Sequence, residues 1–114
     1  MQLSSVKQQE INDALITTID DTLESLGHEL HMLVDRRLKI DYSIDHDELP
    51  YRLETLEEAL EKTFGAVATK SLKERIAKKL ASTLNVPLPD PPTPNLVQQV
   101  QEIKKIFASR SKSQ

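Results

Sequence analysis

The sequence predicts an all-α protein: a small helical domain with a long N-terminal helix, two core helices and a C-terminal helix joined through prolines. Three observations carry that expectation. Apolar residues recur at three- and four-residue steps in most segments, helix-capping spacings stand in front of two of them, and no convincing strand is present.

Leu15, Ile16, Ile19, Leu23, Leu26, Leu30, Leu33 and Val34 form the strongest apolar stripe. Ser5 and Gln8 have the Ser-x-x-Gln spacing of a capping box, which starts the helix near Val6. Gly27 interrupts the stripe without shifting its phase, so a continuous helix to about Leu38 is expected, with Gly27 as its hinge. Such a helix would be about 50 Å long at 1.5 Å per residue, longer than a domain of this size is wide, and must bend, hinge or project into a partner.

Residues 39–53, KIDYSIDHDELPYRL, are read as a connector with at most one short helical turn, because Pro50 prevents an uninterrupted helix. Thr55 and Glu58 make a second capping-box spacing and open a helix carrying Leu56, Ala59, Leu60 and Phe64, closed by Gly65. The next helix buries Leu72, Ile76, Leu80 and Leu84 and ends at Asn85, a residue tolerant of the left-handed conformation. Five prolines from Pro87 to Pro94 make a semi-rigid spacer. Asn95 then caps an amphipathic helix bearing Leu96, Val97, Val100, Ile103, Ile106 and Phe107. The organisation expected is a helical domain over 1–86, a spacer over 87–95, a terminal helix over 96–109 and a disordered tail over 110–114.

The chain has 114 residues, enough for one modest core. With four aromatic residues and no tryptophan, that core must be aliphatic, and a large aromatic cofactor pocket is not expected. The lack of cysteine removes disulfides, thiolate catalysis and thiolate metal sites, and fits a cytoplasmic protein. No segment reaches the roughly 18 to 20 apolar residues of a membrane span. Charge is uneven: residues 1–64 hold 15 acidic against 6 basic side chains, and residues 65–114 hold 3 against 9. Such an asymmetry supports association between protomers or contact with an anionic partner, although two solvated helical surfaces explain it as well.

HELHM, residues 28–32, superficially resembles a zinc-protease signature, but that motif needs a histidine where Met32 stands. His28, His31 and Asp35 fall within about 60° on a helical wheel, and His46 or Asp47 could join them from the connector. Helical phase nevertheless places the two histidines opposite Leu23, Leu26, Leu30 and Leu33, facing water, so neither a metal nor a cofactor is expected. No glycine-rich phosphate loop, P-loop or GxSxG pattern occurs, and no catalytic residue is assigned. Lys70, Lys73, Lys78 and Lys79 on the basic helix are candidate anion contacts, and nucleic-acid binding through residues 70–80 is the alternative function.

IDDTLESLG, then LHMLVDRRL, IDHDELP and LEEALEKTFGAVATKSLKERIAKKLASTLNV, resembles in order and spacing the nitrosopumilus output domain family, small helical domains of archaeal, especially thaumarchaeal, proteins. The resemblance spans about Ile19 to Val86, with Leu23, Leu26, Gly27, Leu49, Pro50, Leu60, Phe64, Gly65, Ile76 and Leu80 as landmarks. It implies a regulatory or output module without catalytic residues to carry over. AVATKSLKERIAKKL is more basic than that family suggests, and the spacer and terminal helix lie outside the match.

The function expected is therefore non-enzymatic regulation or signal output through protein–protein association. Homodimerisation or partner binding is assigned to exposed parts of the long helix and to Leu96, Val100, Ile103 and Phe107. The same faces would serve equally to complete a monomer core.

Overall fold

The computed structural model describes residues 5–87 and 95–112, the side chains of residues 5–7 and 110–112 excepted. They form α1 (Ser5–Glu24), α2 (His28–Tyr42), a 3-10 helix (His46–Tyr51), α3 (Leu53–Phe64), α4 (Ala66–Leu84) and α5 (Leu96–Lys112), with no strand among the described residues. The all-α expectation holds. No helix among the described residues is long and apolar enough to cross a membrane.

The expected long helix is broken. α1 stops at Glu24 and α2 starts at His28, because Gly27 takes φ 129° and ψ 142°, a conformation that side chains rarely adopt and that ends the helical ladder. The Leu26 and Gly27 amides donate to the Leu23 and Glu24 carbonyls, and the Ser25 hydroxyl donates to Thr22 O at 2.6 Å, so the last turn is closed before the chain reverses. α2 folds back along α1 instead of prolonging it. A straight helix of about 50 Å would also have outrun the longest dimension of the molecule, 43 Å.

α2 continues past the expected boundary to Tyr42, where Ser43 takes a left-handed conformation (φ 56°) and the Ile44 amide donates to Leu38 O at 3.0 Å. The capping box lies at Asp45 and Glu48, opening the 3-10 helix, and not at Thr55 and Glu58. α3 begins two residues before Thr55, at Leu53, behind Arg52. Gly65 (φ 87°) separates α3 from α4, and Asn85 (φ 59°) ends α4 in the left-handed region, both as the sequence indicates.

α1 packs on α4 and α2, α3 on α4 and α2, and α5 closes over α3 and α4. The core is aliphatic: Ile11, Leu15, Ile19, Leu49, Leu56, Leu60, Ile76, Leu80, Leu96 and Ile103 are among its fully buried side chains. Asn95 caps α5 by accepting the Gln98 amide through its side chain at 3.3 Å. α5 is helical to Lys112, past the start of the expected tail at residue 110, while the spacer's residues 88–94 and residues 113–114 lie outside the described residues.

Candidate functional site

The reversal at Gly27 lays the carboxylates of α1 against the histidines of α2. Asp20 and Glu24 are one turn apart and share a face of α1. His31 meets both: Nδ1 lies 2.7 Å from Glu24 Oε2, and Nε2 lies 3.3 Å from Asp20 Oδ1 and 3.5 Å from Asp35 Oδ2. His46, carried in by the 3-10 helix, places Nε2 2.8 Å from both Asp20 oxygens. His28 Nδ1 approaches the other oxygen of Glu24 at 3.1 Å. Three elements are thus tied by alternating imidazoles and carboxylates.

The expectation that both histidines face water is correct for His28, whose side chain is 72% exposed, and wrong for His31, at 15%. His31 would face water only on one continuous helix. Once Gly27 resets the phase, Val34 and Leu38 turn inward with His31 beside them, and Leu30 and Leu33 turn outward.

Burial of the His31 ring is the largest single influence on its pKa and lowers it, but the hydrogen bond to Glu24 and the charges of Asp35 and Asp20 together outweigh burial and raise it above 6.5. Glu24 is held below its ordinary value by its hydrogen bonds to His31 and His28. Asp35 is pushed up, chiefly by burial. The carboxylates around His31 thus favour its protonated form relative to a free imidazole, with Nε2 buried but not aligned for a hydrogen bond. A cleft of about 180 Å³ beside it is lined by residues that include Asp35, Ile44 and His46. Among the described residues no group of three or more histidine, aspartate or glutamate side chains is arranged to hold a metal ion. What the cluster does chemically is bind a proton and join helices.

The opposite face of α2 is open and carries apolar side chains interleaved with Glu29 and Arg36. Leu30 is 39% exposed, Met32 51%, Leu33 41% and Ile40 69%. Leu30, Met32 and Leu33 line a shallow depression with His28, Glu29 and Arg36. Leu30 and Leu33 belong to the apolar stripe whose exposed parts are expected to meet a partner, whereas neither Met32 nor Ile40 is marked by the sequence as a surface residue.

The terminal-helix surface requires correction. Leu96, Val100 and Ile103 are buried within the chain, and Phe107 is half-buried against the same core. Glu57 holds this helix in place: Oε1 accepts the Leu96 amide at 2.7 Å, while Oε2 lies 3.3 Å from Lys73 Nζ. No local pattern marks Glu57, because its partners are 16 and 39 residues away.

The four candidate anion contacts divide. Lys73 is largely buried against Glu57, and Lys79 pairs with Asp21 at 3.4 Å; Lys70 and Lys78 are exposed. Arg75, on the same helix, donates to Ser25 Oγ at 2.8 Å. The basic half of the chain is thereby partly neutralised by the acidic half within one molecule. No family model, curated protein or solved structure matches the chain.

Proposed function

We propose that this protein is a non-enzymatic association module, a regulatory or output element that acts by presenting the outer face of α2 to a protein partner. The observation that carries this reading is the set of four exposed apolar side chains, Leu30, Met32, Leu33 and Ile40, gathered on one helix, whereas Tyr51 and Val67, the other large exposed apolar side chains among the described residues, stand singly. Contiguous exposed apolar surface on a small domain marks an interaction site more often than isolated exposed leucines do. The resemblance to archaeal output domains supports the same reading, and a cytoplasmic setting is part of it. The histidine–carboxylate cluster fits a structural brace for α2, since its groups engage one another.

Nucleic-acid binding through α4 is the weaker reading, because Lys73 and Lys79 already face carboxylates of the same chain. Photocrosslinking in cells tests the proposal: a benzophenone side chain replacing Leu33 should give protein adducts, whereas one replacing Val67, still more exposed on α4, should not. Absence of adducts from position 33, or equal yields from both positions, would refute it.

A further inference from the structure

We infer that the occupant of the α2 face is a second copy of this chain, docked antiparallel about a two-fold axis beside Met32 and Leu33. This inference rests on the association reading above and gives it a partner. At 100° per residue, Glu29, Leu33, Arg36 and Ile40 follow one another along the centre of the exposed face, with Leu30 and Met32 on its flanks. Val34 and Leu38 lie on the reverse side, in the core.

The charges on this ridge choose the orientation. Glu29 and Arg36 are exposed, and neither pairs with another charge among the described residues, whereas the neighbouring Arg37 is tied to Asp41 at 3.3 Å. Glu29 and Arg36 stand symmetrically on either side of the Met32–Leu33 midpoint. An antiparallel copy therefore sets each Glu29 against the other's Arg36 and each Met32 against the other's Leu33. A parallel copy sets Glu29 against Glu29 and Arg36 against Arg36, which is repulsive. The ridge is thus complementary to itself in one orientation only, as an isologous two-fold interface requires. In that register Ile40 reaches the second copy's Ser25–Gly27 turn, where Leu26 is only half buried. The acidic face of α1 and the α5 surface take no part.

The test uses the full chain. Light scattering and sedimentation from low micromolar to several hundred micromolar should show a mass rising to twice 12.9 kDa. Leu33→Asp, at an exposed position, should return the chain to a monomer with an unchanged helical circular dichroism spectrum. Glu29→Arg and Arg36→Glu should each weaken the dimer at least tenfold, and the double exchange should restore it, because it re-forms both cross pairs only when the helices run antiparallel. Failure of the double exchange to restore association would overturn the antiparallel arrangement.

A monomer across the whole range would overturn the second copy as occupant; adducts from position 33 to a different protein would then leave the association reading standing, and absence of adducts would remove both. Retention of the wild-type chain, but not of Leu33→Asp, on phosphatidylglycerol vesicles without dimer formation would assign the ridge to a lipid surface and likewise overturn the proposal.

Discussion

Truncating Ile103 to alanine separates a core helix from a docking helix. Ile103 has no exposed surface and sits where α5 closes over α3 and α4. Removing three carbons forfeits about 2.5 kcal/mol of transfer free energy at ~0.8 kcal/mol per methylene. The cavity left behind adds to this, for a total of about 3 to 4 kcal/mol. Against the roughly 5 to 15 kcal/mol that hold a typical domain together, such a loss is large. With a urea slope near 1.5 kcal/mol per molar, which is on the order expected for a small protein, the unfolding midpoint should fall by about 2 M. Helical ellipticity at 222 nm during urea titration measures it. Lys105, with a 77% exposed side chain on the same helix, supplies the control: Lys105→Ala should leave the midpoint within experimental error. A midpoint unchanged by Ile103→Ala, accompanied by a change in molecular mass, would show that α5 serves a partner and refute its assignment to the core of its own chain.

Three other perturbations follow from particular atoms. His31 is raised above its unfolded value of 6.5, so its stabilising contribution is complete below 6.5 and is lost as pH rises through the higher folded value. Urea midpoints should therefore decline between pH 6 and pH 8.5, and His31→Gln should remove that decline; an equal decline in the variant would contradict the brace. Glu24 acts oppositely, its contribution being present above 4.5 and lost as pH falls from there through its lowered folded value, while raised Asp35 favours the folded state at acid pH. Gly27→Ala places a Cβ where no atom lies within 4 Å, so its cost comes from the positive φ alone, about 1 to 3 kcal/mol; an unchanged melting temperature would show that the turn accepts a side chain. Thr69 is fully buried and its hydroxyl has no hydrogen-bond partner, so Thr69→Val should raise stability by about 1 kcal/mol, visible as a higher melting temperature; a lower one would mean the hydroxyl is satisfied.

The parts of the fold legible in the sequence are those decided within a few residues. Gly65 and Asn85 announce their positive φ angles by identity, and Leu72, Ile76, Leu80 and Leu84 announce a buried face by spacing. Gly27 was equally visible as a special position, but Leu23, Leu26, Leu30 and Leu33 keep helical phase across it, so the periodicity could not distinguish a hinge from a reversal. That distinction depends on what α2 meets when it folds back, including the Asp20–His31 and Asp20–His46 contacts between separate elements. The Asp45–Glu48 box was present in the sequence and was missed in favour of Thr55–Glu58, which has the same spacing; the opening of α3 at Leu53 removes Thr55 from a capping position. The docking of α5 was open from sequence for another reason: an apolar stripe states that it must be covered, not by which surface.

The reversal at Gly27 also decides which side chains of α2 are left for the proposed association. In a continuous helix, Leu30 and Leu33 would share a face with Leu23, and core packing would suffice to account for them. In the folded-back helix, Val34 and Leu38 do the anchoring, and His31 secures the flank through Glu24 and Asp20. Met32 and Ile40, each more than half exposed, contribute little to that anchoring, and Leu30 and Leu33 only part of their surface. One such residue would need no account, since folded proteins expose much apolar surface. Four on one face of a 15-residue helix, with Glu29 and Arg36 set symmetrically about Met32 and Leu33, are the pattern on which the proposed association rests.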